Sequence, residues 1–183
     1  MPTFPKRYAD AVAKLRVPAG FVLVAVFAWF SRPSSHSLVL GLPIGLVGLA
    51  LRAWAAGCLA KNQQLATGGP YAYTRNPLYF GTLLVAAGLV LASRGVGLGI
   101  LFIGVFLLVY LPVIQLEEQH LRTLFPEYAP YARQVPALWP RLTPVPTKTS
   151  NPFRTALYLR NQEYQAGAGF AAGMLFLLWR VLG

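Results

Sequence analysis

Residues 77–116 read PLYFGTLLVAAGLVLASRGVGLGILFIGVFLLVYLPVIQL, and Arg94 is the single charged residue among them. The apolar residues run on without the alternation of a half-buried strand, and the runs are far longer than a strand. Asn76 is a good N-cap, and Pro77 stands at the first helical position, where a missing N–H leaves nothing unpaired. Ser93-Arg94-Gly95 interrupts the stretch. It therefore predicts a helical hairpin, Pro77–Ser93 followed by Val96–Leu116. The second helix would reach roughly 31 Å, the thickness of a bilayer's hydrocarbon core.

Composition agrees with lipid as the solvent. Of 183 residues, 56% are hydrophobic and 11% are charged, and the mean hydropathy is +0.51. Soluble domains carry about 25% charged residues, so this chain lacks the polar surface to face water on every side. Its length suits one domain. Further spans are expected near Val17–Ser31 and Leu38–Ala60, with a possible fifth near Ala166–Val181. The first is short, roughly 22 Å, and needs tilt or its neighbours to cross. In the second, Gly41, Gly45 and Gly48 give small residues at helical spacing, which lets helices approach closely. The expected fold is an all-α integral membrane bundle of four to five transmembrane helices, since lipid cannot satisfy open backbone groups.

The ends of the chain differ from this core. Residues 1–16 place Phe4, Tyr8, Val12 and Leu15 on one helical face and Lys6, Arg7, Asp10 and Lys14 on the other, as an interfacial amphipathic helix does. A signal peptide is the competing reading, but no A-x-A-like cleavage site follows Phe30. Prolines 126, 130, 136, 140, 144 and 146 exclude a long helix up to Ser150. Asn151-Pro152 can start one more helix, amphipathic to about Gln165 and apolar afterwards, either spanning or re-entrant. Three parts follow: residues 1–16, a membrane core over 17–142, and a linker with a C-terminal helix over 143–183.

The net charge of +11 is compatible with nucleic acid or with anionic lipid. Its distribution favours lipid. Lys6, Arg7, Lys14, Arg16, Lys61, Arg75, Arg122, Arg133, Arg141, Lys148, Arg154 and Arg160 fall on one side of the expected spans, and Arg32, Arg94 and Arg180 on the other. This is the positive-inside pattern, so the N-terminus and the long tail are expected in the cytoplasm, with no nucleic-acid partner. Cys58 lies in an apolar span and reads as a small buried hydrophobe. His36 and His120 fall on opposite sides, so no metal site is expected. Gly95-Val-Gly97-Leu-Gly99 does not match a dinucleotide loop and opens a membrane helix.

Polar and aromatic residues gather in two segments on the expected cytoplasmic face, Gly68–Tyr79 and Glu117–Tyr131, which the hairpin brings together. Gly69-Pro70-Tyr71 followed by Arg75-Asn76-Pro77-Leu78-Tyr79 resembles the G-P-Y…R-H-P-x-Y motif of the isoprenylcysteine carboxyl methyltransferase family, kin to the phospholipid methyltransferases. Glu117-Glu118, Leu121, Phe125, Tyr128, Tyr131, Val135-Pro136 and Pro140 resemble its E-E-x-x-L-x-x-x-F-G…Y-x-x-Y-x-x-x-V-P…P tail. The likeness covers about residues 40–142. Asn76 stands where the family has histidine, Pro126 where it has glycine, and the gap from Phe125 to Tyr128 is one residue short.

The resemblance implies methyl transfer from S-adenosylmethionine to a lipid-borne acceptor, a prenylcysteine-like carboxylate being favoured, with the cofactor held in the cytoplasmic tail. Residues 17–142 would form the methyltransferase core, in contact with membrane lipids. The cofactor-binding residues so implied are Gly69, Tyr71, Arg75, Asn76, Pro77, Tyr79, Glu118, Tyr128 and Tyr131. Ring faces attract the sulfonium, although the same tyrosines suit an aromatic belt at a membrane surface. Arg75 suits the cofactor carboxylate or an interfacial anchor. Arg52 and Glu117 are the candidate catalytic residues. Arg52 lies roughly 12 Å inside its span, deep enough to indicate function or a snorkelling side chain. It is expected to hold an acceptor carboxylate or to pair with Glu117 or Glu118. Glu118 and Arg122 have the spacing of a helical salt bridge, which leaves Glu117 the freer for ligand contact. Two rivals stay open, a sterol- or steroid-reductase-like enzyme using NADPH and a non-catalytic membrane adaptor. Phospholipid amines remain possible acceptors.

Overall fold

A computed structural model describes residues 4–147 and 151–183, and every regular element among them is helical. Met1–Thr3 of the expected amphipathic helix and residues 148–150 of the linker lie outside the described residues.

Helix α1 spans Lys6–Phe30 and is bent by 52° between Lys6–Leu15 and Val17–Phe30. Pro18 explains the bend, because its ring crowds the carbonyl four residues earlier and it donates no hydrogen bond. The amphipathic arm docks on protein as well as facing outward. Ala9 and Val12 are buried, and the Gln115 amide donates to the Phe4 carbonyl (3.0 Å) while accepting from the Phe4 N–H (2.7 Å).

Helix α2 (Ser35–Cys58) begins at a capping box in which the Ser34 side chain accepts from the Ser37 N–H. It packs along α3 (Pro77–Ser93) through the glycines singled out above. A Cβ built on Gly48 would lie 2.7 Å from the Gly81 carbonyl oxygen, and one on Gly88 would lie 2.7 Å from that of Gly41. Glycine at these positions is what lets the two backbones touch. Arg94 turns the hairpin in the left-handed region, at φ 55. There the Ser93 hydroxyl donates to the Val90 carbonyl and accepts from the Gly95 N–H.

The next helix does not stop at Leu116. α4 (Val96–Val105), a π turn (Phe106–Tyr110) and α5 (Leu111–Leu124) form one rod of 29 residues, about 43 Å long. Beyond Leu116 the sequence turns amphipathic through Phe125, and the helix runs on through that stretch to Leu124. Pro112 cannot donate to the carbonyl of Leu108, and the Tyr8 hydroxyl donates to that oxygen instead (2.7 Å).

After the short α6 (Tyr128–Gln134), the proline-rich segment lies along the loop between α2 and α3. The Arg141 and Val145 N–H groups donate to the carbonyls of Tyr73 and Ala72, both at 3.0 Å. The C-terminal part is two helices where one was expected, α7 (Thr155–Arg160) and α8 (Tyr164–Leu182). Gln162 breaks them apart at φ 54. The Asn161 amide next to it donates to the carbonyls of Ala56 and Leu59 at the open end of α2. Phe170 of α8 fills the space that Gly45 leaves.

α2, the rod and α8 are each long and apolar enough to cross a membrane, and the bent α1 makes a fourth candidate. α3 is a shorter apolar helix of 17 residues. Phe21, Trp29, Val39, Ile100 and Leu175 are exposed, the apolar outer face that a membrane protein presents to lipid.

Candidate functional site

The loop after α2 is shaped by Gly69, whose φ of +58 suits glycine and opens the 3-10 turn Gly69–Ala72. This turn buries Tyr71. Its carbonyl accepts from the Tyr131 hydroxyl (2.8 Å), while its own hydroxyl meets no partner among the described residues. Burial holds the Tyr71 phenol above its ordinary pKa of 10.0, with Tyr131 adding to the effect. Burial also raises Tyr128, seconded by the Glu118 carboxylate, and Tyr131, seconded by Tyr128. All three hydroxyls therefore keep their protons at neutral pH.

Arg75 and Glu118 join the two motifs. Arg75 Nε and Nη2 donate to the two Glu118 oxygens at 2.9 Å each, and Nη1 donates to the carbonyls of Ala132 (2.7 Å) and Val135 (2.9 Å). This fork on a carboxylate is the strongest form of such a contact. The Asn76 amide donates to Glu118 Oε1 (3.2 Å) and to the Ala137 carbonyl (2.9 Å), so its hydrogen bonds go to protein groups. The expected Glu118–Arg122 salt bridge is not formed. Glu118 has turned to Arg75, and the Arg122 guanidinium lies 5.4 Å from the centre of the Tyr128 ring.

Glu117 points elsewhere, since successive helical residues face different ways. It is exposed and accepts from the Tyr79 hydroxyl (2.9 Å). The Tyr79 ring meets that of Tyr110 edge-on at 6.2 Å. Pro77 is buried at the start of α3.

Arg52 pairs with neither glutamate expected for it. Its Nε donates to Glu163, and its Nη1 donates to the Thr82 hydroxyl and to the Leu78 carbonyl (3.3 Å). Arg52 is reached from the α7–α8 junction, while Glu117 and Glu118 are engaged by Tyr79 and Arg75.

These groups surround a cavity of about 720 Å³. Arg52, Tyr71, Arg75, Asn76, Pro77, Tyr79, Glu117, Tyr128 and Tyr131 line it, whereas Gly69 and Glu118 stand behind the wall. The wall also holds Lys61, Gln64, Thr82, Tyr110 and His120, which sequence reasoning missed. Tyr110 had a signal in Pro112 two residues on, and Glu163 had one as a lone carboxylate ahead of an apolar helix. A second hollow of about 540 Å³ lies at the other end of the hairpin, beside His36 and Arg94, and takes in none of the candidate residues.

Residues 16–128 match the phospholipid methyltransferase family. The chain is 36% identical over 135 residues to the cobalt-zinc-cadmium resistance protein CzcN of Cupriavidus metallidurans, covering 70% of this chain and 62% of that protein. It is 33% identical over 138 residues to the nickel-cobalt-cadmium resistance protein NccN of Alcaligenes xylosoxydans xylosoxydans, covering 70% and 63%. The chain thus spans less than two thirds of the length of these curated relatives. No solved structure matches it. The match runs from the bend of α1 to the first residue of α6, taking in Gly68–Tyr79 and the second segment as far as Tyr128. This membrane chain belongs to the phospholipid methyltransferase family.

Proposed function

We propose that the chain is an S-adenosylmethionine-dependent methyltransferase acting on a lipid-borne acceptor, with its cavity at the cytoplasmic face. The observation that carries this reading is the cavity itself. Its volume of about 720 Å³ falls within the few hundred to roughly 1,000 Å³ usual for small-molecule sites. Its wall is aromatic, with one exposed carboxylate, Glu117, and two buried hydroxyls, Tyr71 and Tyr128, that meet no partner among the described residues.

These residues fit the cofactor. Tyr71, Tyr128 and Tyr131 suit a flat base, and the Tyr71 hydroxyl gains a partner there. Tyr79 and Glu117 suit a sulfonium by ring face and by charge. S-adenosylmethionine, when bound, supplies an activated methyl group. Arg75, Asn76 and Glu118 act by holding loop and rod together, which fixes the tyrosines. Pro77 and Gly69 set the turn and helix start that aim them.

Methyl transfer is a displacement that needs no protein nucleophile, so the residues position the acceptor and exclude water. Arg52 lies in the cavity wall beside α3 and would orient an anionic acceptor group such as a prenylcysteine-like carboxylate. The concentration of Lys and Arg on the cavity's side supports a cytoplasmic location. The relatives are named for metal resistance. On this reading, the chain itself contributes methyl transfer to a membrane component.

The test is transfer of tritium from S-adenosyl[methyl-3H]methionine to the organic-extractable fraction of vesicles. Vesicles carrying farnesylcysteine and vesicles of phosphatidylethanolamine are the two acceptor arms. Label in either arm that is lost in Glu117→Ala supports the reading, and absence of label from both contradicts it.

A further inference from the structure

Arg52 is held by more of the protein than a surface arginine requires. Its Nε donates to Glu163, and its Nη1 donates to the Thr82 hydroxyl and the Leu78 carbonyl. The Thr82 hydroxyl itself donates to the Leu78 carbonyl (3.0 Å), so its lone pairs are turned to Arg52. Gly81 clears the way for the arginine stem, because a Cβ built there would lie 2.5 Å from Arg52 Cγ. Arginine loses much rotamer freedom when fixed in this way. Two of its three nitrogens are spoken for. Among the described residues no acceptor meets Nη2, on a side chain that lines the cavity.

Glu163 is fixed with equal care. It is 9% exposed and opens α8, directly after the left-handed Gln162. Asn161 ties the same junction to the carbonyls that end α2. The carboxylate therefore meets Arg52 at a height set by the helix it serves. It also lies beyond residues 16–128, which carry the family likeness.

We propose that Glu163 is a positioning residue: it locks the guanidinium of Arg52 so that the Nη2 edge binds an oxyanion, carboxylate or phosphate, on the acceptor's head group. The proposal rests on the reading of the cavity as an acceptor site. A carboxylate placed only to staple α8 to α2 would serve equally well away from any cavity. Here the third nitrogen of the guanidinium, Nη2, is left to donate to a ligand. A planar fork with one side anchored presents the other at a fixed angle, which lysine cannot copy.

The experiment uses the full chain in dodecyl maltoside and titrates dodecyl phosphate, dodecanoate and dodecyltrimethylammonium by calorimetry. The wild type should bind at least one of the two anions saturably and the cation not at all. The arm that binds distinguishes phosphate from carboxylate. Glu163→Ala should weaken that binding roughly tenfold, equivalent to about 1.4 kcal/mol. Glu163→Gln keeps an oxygen for Nε and should stay within roughly threefold of wild type, a change of under 0.7 kcal/mol. Should Glu163→Ala fail to fold, the comparison of Glu163→Gln with Arg52→Lys decides, since only the second removes the fork. Binding of neither anion by the wild type overturns the proposal. So does wild-type affinity in folded Glu163→Ala, or a loss in Glu163→Gln as large as in Arg52→Lys. S-adenosylhomocysteine is titrated into the wild type alongside. If it binds while the anions fail, the positioning role is lost and the methyltransferase reading stands; if it does not bind, that reading is the one that falls.

Discussion

Glu117 and Glu118 are neighbours in the chain and have opposite surroundings. Glu118 is buried against Arg75 and Asn76, and Glu117 lies in the cavity wall with only the Tyr79 hydroxyl upon it among the described hydrogen bonds. Removing one member of a buried pair strands the other, so Glu118→Ala should lower unfolding stability by about 3–5 kcal/mol. Glu117→Ala should change stability by less than about 0.5 kcal/mol and weaken binding of S-adenosylmethionine more than that of S-adenosylhomocysteine, which carries no sulfonium charge. Denaturant unfolding in detergent, run beside a binding titration, checks both. Tyr79→Ala should cost about 1–2 kcal/mol of cofactor affinity, the scale of a lost aromatic contact. Unchanged affinity in the folded variant would assign Tyr79 to the membrane-surface belt. The sequence already left Glu117 the freer of the pair, but it gave Glu118 the partner Arg122 in place of Arg75. The pairing depends on which neighbour each side chain meets, and Arg75 comes from a loop 43 positions away. The same applies to Arg52, whose partner stands 111 positions on.

Helices were the most legible level, because an apolar run in lipid has one regular way to satisfy its backbone. Pro77–Ser93 lies where the sequence placed it, bounded by a proline and a left-handed arginine. The rod's extension to Leu124 follows the amphipathic pattern that the sequence carries from Leu116 through Phe125, though the pattern did not show that it continues the span as one helix. The break at Gln162 was hidden, because glutamine carries no turn signal of its own. The glycines of α2 give the sharpest test of packing. Gly48→Val would drive its Cβ into backbone atoms of Gly81 and Val85, each 2.7 Å away, which side-chain repacking cannot relieve. A loss of at least roughly 1–3 kcal/mol follows. Gly20→Ala, with nothing within 4 Å of the new Cβ, should be nearly silent. Equal thermal stability of the two variants would contradict close contact between α2 and α3.

At the scale of the whole molecule, the fold gathers its polar chemistry at one end of an apolar bundle. Gln63 and Leu142 are exposed at that end, and Val96 is exposed at the other, beside the hairpin turn. Cysteines placed at 63 and 142 should react with an impermeant thiol reagent from the cytoplasmic side, and one at 96 only from the opposite side. Reaction of 63 and 142 from different sides would divide the cavity's walls between two compartments and refute a shared site. The two polar segments made the gathering at one end legible, and the excess of lysine and arginine there carries the expectation, which this labelling tests, that the end is cytoplasmic. The acceptor was not legible, since it depends on the shape and ion pairing of the cavity's far wall. We read the cavity as built for a sulfonium-bearing nucleoside cofactor and not for a nicotinamide. Calorimetric titration of the purified chain with S-adenosylhomocysteine and, separately, with NADPH tests this reading most directly. S-adenosylhomocysteine should bind saturably, with a rise in melting temperature by mass action, and NADPH should not bind. Binding of NADPH with no response to S-adenosylhomocysteine would contradict this reading.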